Sequence, residues 1–262
     1  MHHDRQPLAS EAYRGLRTSI LFSTPGQAPR ILLVTSSLPL EGKSLTAANL
    51  SAAMAIAEST VLLVDADLRR PTLHQIFQVE REPGLADFMA GEISDLPVVP
   101  TPVPHLFLVP CGHLPPNPSE MLHSERMQEF LNRAREQFGR VILDSPPLMS
   151  VTDPAILATM AEGVLLVIKA ETVPRKVAIE ARNDLLEVNA PLLGAILNNV
   201  PLQRDGYYYR HYYHRHYSYH YAQEDKRTQR QNTTHNPVAS SGLLSWINNR
   251  RDRVANYFHG KQ

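Results

Sequence analysis

Residues 30–44 of this chain read RILLVTSSLPLEGKS, a short apolar run that leads into a loop ending in Gly-Lys-Ser. An apolar run of this length predicts a strand that is buried on both faces. The Ala- and Leu-rich residues 43–58 that follow predict a helix. Because backbone N–H groups are unpaired at the start of a helix, this strand–loop–helix order is typical of a phosphate-binding loop. The stretch therefore predicts an α/β fold built around a P-loop.

Short buried strands and helical segments alternate over the first 200 residues. The strands are predicted at 30–35, 61–65, 106–110, 141–144, 163–169 and 193–199, and the further helices at 10–23, 124–137, 153–161 and 174–188. Strands separated by helices of this length pair in parallel through right-handed crossovers. The predicted fold class is α/β, with a doubly wound, mostly parallel sheet of the P-loop NTPase type and a flexible C-terminal tail.

The sequence changes in kind after residue 200, which predicts three parts. They are a P-loop domain (1–200), a flexible tail rich in tyrosine and histidine (201–240) and an amphipathic C-terminal helix (241–262), with the helical pattern strongest at 241–258. Residues 207–221 read YYYRHYYHRHYSYHY and hold eight of the ten tyrosines. Their histidines could hold a transition metal, their tyrosines and arginines could stack on single-stranded nucleic acid, and the helix could lie on a membrane or dock on the domain.

Charge is balanced over the 262 residues, which contain 26 basic and 26 acidic side chains. Residues 201–262 nevertheless hold 10 basic and 4 acidic side chains, so the tail is basic and the remainder is acidic. Overall balance argues against a general nucleic-acid coat protein, and the asymmetry suggests that the tail has its own partner. The single cysteine excludes a disulfide framework. Because no apolar run reaches the ~18 residues that span a bilayer, we expect a soluble chain in the cytoplasm.

The loop departs from the general pattern G-x-x-x-x-G-K-[ST] at its first glycine, where Ser37 stands. Gly42, Lys43 and Ser44 match the end of the pattern. We expect Lys43 to contact the β- and γ-phosphates and Ser44 to bind Mg²⁺. Leu40 occupies a position that a glycine would fill more easily. The predicted nucleotide-binding residues are Ser37, Glu41, Gly42, Lys43, Ser44, Leu45 and Asn198.

Polar residues also stand where other predicted strands end. Asp65 and Asp67 follow the strand at 61–65, and Asp144 ends the strand at 141–144. In a parallel sheet the carboxyl ends of the strands form the ligand-binding edge, so acids and P-loop together predict a Mg-nucleotide site. Asn198, at the end of the last strand, is a candidate for adenine recognition because an amide both donates and accepts, and a strand-end cap is the alternative.

Several segments carry a family resemblance. SSLPLEGKS, VLLVDADLRRP and VILDSPP resemble the Walker A, Walker A′ and Walker B motifs of bacterial tyrosine kinases (BY-kinases), which are related to MinD/ParA-type ATPases. EAYRGLRT resembles the E-x-x-R-x-x-R oligomerisation segment of that family through Glu11, Arg14 and Arg17. PNPSEML at 116–122 and GAILNNV at 194–200 resemble family segments in place and order.

The resemblance implies an ATP- and Mg²⁺-dependent protein-tyrosine autokinase. It implies that Lys43, Asp65 and Asp67 are catalytic, with Asp65 favoured as the base, and that Ser44, Asp67 and Asp144 hold Mg²⁺. The phosphate acceptors that it implies are Tyr207, Tyr208, Tyr209, Tyr212, Tyr213, Tyr217, Tyr219 and Tyr221.

Partners and location are also expectations from the resemblance. It implies a homo-oligomeric, octameric ring, a transmembrane activator or polysaccharide co-polymerase, and a cognate tyrosine phosphatase. Phosphorylation would regulate capsular or exopolysaccharide polymerisation or export at the inner face of the plasma membrane. No nucleic-acid partner is expected.

Two alternatives remain at this point. A MinD/ParA-like switch is disfavoured because Leu38 stands where dimerising relatives have an extra lysine. A pseudokinase scaffold that binds nucleotide without turnover is the other alternative, because Leu40 departs from the usual glycine.

Overall fold

Seven strands form one sheet within residues 5–23, 28–57 and 60–201, which are the residues that this computed structural model describes. The strands lie in the order β3-β4-β2-β5-β1-β6-β7, and every pairing is parallel except that of β3 with β4. Their bounds are β1 Ile31–Ser36, β2 Val61–Asp65, β3 Val99–Pro100, β4 Leu106–Val109, β5 Arg140–Asp144, β6 Gly163–Lys169 and β7 Leu192–Asn198. The predicted fold class is confirmed. The tail at 202–240, the helix at 241–258 and all eight tail tyrosines lie outside the described residues.

Helices cover both faces of the sheet. Their bounds are α1 Arg5–Leu21, α2 Lys43–Ala55, α3 Leu73–Phe77, α4 Leu85–Ala90, α5 Pro118–Leu122, α6 Glu125–Gln137, α7 Asp153–Met160 and α8 Arg175–Glu187. Sequence analysis missed α3, α4, α5 and β3 because elements of two to six residues are too short to show a periodic pattern. None of the described helices is long and apolar enough to cross a membrane.

Strand β1, which lies inside the sheet between β5 and β6, contributes to two apolar layers because its successive side chains point to opposite faces. Leu32 and Val34 pack with side chains of α1, α2 and α3. Leu33 packs on the other face with Phe130 of α6 and Leu157 of α7. Since all six residues of β1 are buried, the loop that follows this strand starts from a rigid position at the carboxyl edge of the sheet.

Helix α1 lies against α2, and its three motif residues do not act alike. Arg17 donates to the carbonyl of Ala53 in the last turn of α2, at 3.3 Å. Glu11 and Arg14 instead form an ion pair of 3.0 Å with each other on the outer side of the helix. Arg17 therefore attaches α1 to the domain, while Glu11 and Arg14 are the members that face outwards.

Replacing these two arginines should separate their roles. We expect Arg17→Ala to lower the free energy of unfolding by about 1 kcal/mol, because it loses a hydrogen bond to a helix carbonyl. Arg14→Ala should lower it by only ~0.5 kcal/mol or less, because its ion pair is exposed. Denaturant unfolding of both variants measures the difference, and equal losses would contradict the assignment.

Candidate active site

The P-loop leaves β1 at Ser36 and enters α2 at Lys43. Gly42, just before the helix, has φ 89°. A Cβ atom there would lie 2.3 Å from Nδ2 of Asn198, so both the backbone angle and the lack of space require glycine. Glycine at this position therefore avoids backbone strain and leaves the Asn198 amide in place.

Leu40 adopts the left-handed conformation, with φ 64°. That conformation costs an L-residue about 1–2 kcal/mol relative to its ordinary conformations. The side chain is 70% exposed, so it points to solvent. The loop therefore holds a leucine in a conformation that favours glycine, at the cost of local strain.

The Glu41 side chain turns into the protein. Its carboxylate is 2% exposed and accepts hydrogen bonds from the Ser37 hydroxyl (2.9 Å) and the backbone N–H groups of Leu38 (2.7 Å) and Lys169 (3.3 Å). Ser37, which stands at the first glycine of the pattern, therefore binds Glu41 through its hydroxyl. These side chains shape the loop from inside, and a nucleotide contact from Ser37 or Glu41 stays a prediction for their backbone groups.

The Asn198 amide is also engaged by the protein. Its Nδ2 donates to the carbonyl of Glu41 (2.8 Å), and its Oδ1 accepts from the backbone N–H of Asn199 (2.9 Å). The strand-end cap is thus observed together with a bridge from β7 to the P-loop. Adenine recognition by Asn198 stays a prediction.

Three acids and one lysine meet at the carboxyl ends of β1, β2 and β5. Asp65 and Asp144 stand opposite each other in the register of the neighbouring strands β2 and β5. Lys43 Nζ lies 2.8 Å from Asp67 Oδ2, 3.8 Å from Asp144 Oδ1 and 3.2 Å from Ser44 Oγ. The sheet order brings the residues predicted for catalysis and Mg²⁺ into one cluster.

The two Walker A′ acids have different surroundings. Asp65 is fully buried, and its Oδ2 accepts the backbone N–H groups of Thr72 (3.1 Å) and Leu73 (2.9 Å) at the start of α3. Asp67 accepts the backbone N–H of Arg70 (2.9 Å) in addition to the Lys43 ammonium. Asp65 is therefore oriented by backbone, whereas Asp67 is the direct partner of the P-loop lysine.

Burial dominates the titration of this cluster. Burial, and then the charge of Asp144, raise the pKa of Asp65 to about 8. Burial likewise raises the pKa of Asp144 to about 6, although Lys43 opposes that rise. Burial would lower the pKa of Lys43, but Asp144 and Asp67 outweigh it and raise that pKa above its usual value. Without a further cation, the cluster holds more negative charge than one lysine can balance.

The unsatisfied oxygens fit a hard divalent cation. Asp65 Oδ1 and both carboxylate oxygens of Asp144 are buried and have no hydrogen-bond partner among the described residues. Carboxylate and hydroxyl oxygens are the ligands that Mg²⁺ takes beside nucleotide phosphates. Asp144 lies in one cluster with Asp67 and Ser44, and the binding of Mg²⁺ by these three residues stays a prediction.

A second ion pair, which sequence analysis missed, fixes the Walker A′ loop from the side. Arg69 binds the fully buried Asp153 at the start of α7 through Nε (2.8 Å) and Nη2 (3.0 Å). Ser119 of α5 donates to the same carboxylate (2.5 Å). These residues are too far apart in sequence for a spacing pattern to reveal the contact.

The remaining predicted site residues lie elsewhere. Leu45 is half-buried on α2 and packs against the apolar layer, so its side chain is turned away from the acids. Glu11, Arg14 and Arg17 lie on α1, which packs on α2 and not on the acid cluster.

Replacing Leu40 should test the strain in the loop. We expect Leu40→Gly to raise the free energy of unfolding by up to about 1 kcal/mol, because relief of the left-handed strain exceeds the entropy that glycine adds to the unfolded chain. Leu40→Ala is the matched control and should change it little, because an exposed side chain is lost while the strain remains. Equal effects of the two changes in thermal unfolding would show that the backbone is not strained.

Replacing Asp65 should change how stability depends on pH. The folded state binds the Asp65 proton more tightly than the unfolded state does, because the pKa of Asp65 is raised on folding. The free energy of unfolding of the wild type therefore falls as pH rises from about 4 to about 8. Asparagine does not ionise, so the Tm of Asp65→Asn minus the Tm of wild type should increase by about 3 °C or more from pH 5 to pH 8. A change of 1 kcal/mol moves Tm by ~2–4 °C in a domain of this size.

The measurement is thermal unfolding in EDTA without nucleotide. Asp95→Asn, at an exposed carboxylate, should follow the wild-type trend. A Tm difference between Asp65→Asn and wild type that does not change with pH would contradict the burial argument.

Comparisons with known proteins identify the family of this chain. A family model described as an AAA domain matches residues 41–188. The tyrosine-protein kinase YwqD of Bacillus subtilis is 38% identical over 205 residues, which cover 77% of this chain and 86% of that protein. The putative tyrosine-protein kinase CapB of Staphylococcus aureus is 32% identical over 211 residues, which cover 80% of this chain and 92% of that protein.

Solved structures give the same result. The kinase domain of the Escherichia coli tyrosine kinase ETK superposes with a TM-score of 0.70 and 34% identity, over 73% of this chain and 76% of that one. The cell division ATPase MinD of Pyrococcus furiosus has a TM-score of 0.58 and 23% identity, over 67% of this chain and 74% of that one, and shows the shared fold alone. The chain belongs to the family of bacterial tyrosine-protein kinases, and it is a protein-tyrosine kinase with a nucleotide-binding P-loop.

Proposed function

We propose that this kinase transfers the γ-phosphoryl group of Mg-ATP to the tyrosines of its own 207–221 segment, in trans between subunits. The observation that carries the proposal is Lys43, whose ammonium lies between Asp67 and Asp144 at the mouth of the P-loop. A kinase needs a cation at the transferred phosphoryl group and carboxylates that hold Mg²⁺ and accept a proton. The described cluster provides each of these.

Asp65 is the base in this proposal. The tyrosine oxygen forms a bond to the γ-phosphorus, the bond from that phosphorus to the bridging oxygen breaks, and ADP leaves. The phenolic proton passes to Asp65 Oδ1, which has no other partner among the described residues. A base is most effective with a pKa near the working pH, and the raised pKa of Asp65 meets that condition.

Lys43, Ser44, Asp67 and Asp144 bind and position the nucleotide. Mg²⁺ would be held by Ser44, Asp67 and Asp144 and would neutralise charge on the phosphates. Asp67 holds the Lys43 ammonium at the loop through a hydrogen bond of 2.8 Å, which supports a role for Lys43 in positioning the phosphates. The exposed Leu40 side chain leaves the loop interior clear, which supports an active kinase over a pseudokinase.

The proposed chain has a kinase domain at 1–200, a tail at 201–240 and a helix at 241–262. The tail is both the substrate of the kinase and its regulatory segment. Each phosphotyrosine adds about −1.5 to −2 charges, so several of them reverse the sign of the basic tail. Unmodified tails dock in neighbouring sites of a ring, and modified tails leave. A membrane activator and a tyrosine phosphatase would set this cycle beside capsular or exopolysaccharide export at the inner membrane face.

Autophosphorylation should depend on the cluster. Lys43→Met and Asp65→Asn should each lower the initial rate by about 10²–10³, the usual loss for one transition-state contact. Lys176→Met, at an exposed lysine of α8, is the matched control and should keep the wild-type rate. The measurement is incorporation of γ-labelled phosphate, with thermal unfolding to establish that each variant is folded.

Mapping the label tests the acceptor sites in the same experiment. Phosphate should be found on tyrosines of 207–221 and not on Tyr13, which packs against the apolar layer under α1. Label mainly on Tyr13 or on serine would contradict the proposal, as would wild-type rates in folded Lys43→Met.

Assembly should depend on the outer side of α1. In a Lys43→Met background, which cannot phosphorylate itself, light scattering should show association that Arg14→Ala abolishes. Arg182→Ala, at an exposed arginine of α8, should leave it unchanged. If the Lys43→Met protein is a monomer at tens of micromolar, the isolated chain forms no ring, and assembly requires the membrane activator.

A further inference from the structure

A group of metal-ligating side chains lies away from the kinase cluster. Ligand atoms of Asp87, Glu92 and His113 all lie within 4.8 Å of one another. Asp87 belongs to α4, Glu92 follows the end of that helix, and His113 lies in the loop between β4 and α5. The group therefore joins two segments of the fold that the kinase mechanism does not use.

Asp87 is oriented before any ligand binds. It is 3% exposed, and its Oδ2 accepts the backbone N–H of Gly84 at 2.6 Å. Gly112 has φ 84°, and a Cβ on it would lie 2.3 Å from Asp87 Oδ2. Glycine at 112 thus lets the loop bring His113 directly onto the carboxylate, and Asp87 Oδ1 contacts His113 Nδ1.

The other ring nitrogen of His113 has its own carboxylate. His113 Nε2 lies 3.3 Å from Glu82 Oε2, and Glu82 is itself held by Arg81. A cation that binds Nδ1 has to replace the proton that Nδ1 shares with Asp87 Oδ1, while Nε2–H donates to Glu82. Metal-binding histidines usually donate their second N–H to a carboxylate in this way.

We propose that Asp87, Glu92 and His113 bind a zinc-type divalent cation, with water as the fourth ligand. One imidazole and two carboxylates suit Zn²⁺ or Co²⁺, whereas Mg²⁺ takes oxygen ligands. Glu82, Asp87 and Glu92 place three carboxylates around the His113 ring, so a cation there would also reduce their mutual repulsion. The cation would tie the β4–α5 loop to α4, and the proposal is independent of the kinase function.

Zinc binding to the full chain tests this site. Because the tail histidines could also bind Zn²⁺, the parent protein carries asparagine at His211, His214, His216 and His220. Equilibrium dialysis against Zn²⁺, with excess Mg²⁺ to occupy the oxygen-ligand site, should show one ion per chain. His113→Asn should lower that affinity at least about tenfold, and Glu92→Gln should lower it as well. Both positions are exposed, so these variants are expected to fold.

His105→Asn is the matched control. His105 is an exposed histidine with φ 63°, a conformation that asparagine tolerates well. It should bind Zn²⁺ as the parent does, and Zn²⁺ should raise the Tm of the parent and of His105→Asn but not of His113→Asn. Equal Zn²⁺ affinity in His113→Asn and His105→Asn would overturn the proposal. If the parent binds no Zn²⁺ at micromolar concentrations, the Asp87–His113 contact is only a hydrogen bond, and the proposal is wrong.

Discussion

The ammonium group of Lys43 is held among three buried carboxylates, and the arrangement of the active site depends on that cluster. Its position follows from the sheet order, because β1, which carries the P-loop, lies beside β5 and close to β2. Burying ionised carboxylates without enough positive charge nearby costs free energy. Burial therefore raises the pKa values of Asp65 and Asp144. The same imbalance of charge supports the proposed roles of this cluster in holding Mg²⁺ and in accepting the phenolic proton.

Hydrogen bonds from side chains hold the P-loop in its shape, although Ser37 and Leu40 stand where glycines would make the backbone more flexible. The Glu41 carboxylate binds Ser37 and the backbone of Leu38 inside the loop, and Asn198 holds the outer side through the Glu41 carbonyl. Together with the backbone N–H of Lys169 in β6, these contacts fix the loop on several sides. They explain how Leu40 is tolerated in a left-handed conformation, since the surrounding bonds determine the backbone path.

The acids are held by a separate set of contacts. Asp65 accepts backbone donors at the start of α3, and Arg69 ties the following loop to Asp153 of α7. Because Asp153 is fully buried and bound on both oxygens, that ion pair has a defined geometry, unlike an exposed one. The acids at this edge are thus rigidly placed, and phosphoryl transfer depends on such positioning more than on covalent chemistry.

The sequence by itself determined the α/β class, the P-loop and the edge of the sheet at which Asp65, Asp67 and Asp144 meet. Buried strands show in the local pattern of apolar residues, and parallel strands place their carboxyl ends at one edge of the sheet. Only the tertiary structure decided which way the polar side chains turn. Glu41 faces inwards because donors from β6 are within reach, and Arg69 meets Asp153 because β2 and the segment after β5 are neighbours. Such contacts join residues that are distant in the chain, so no spacing or periodicity encodes them.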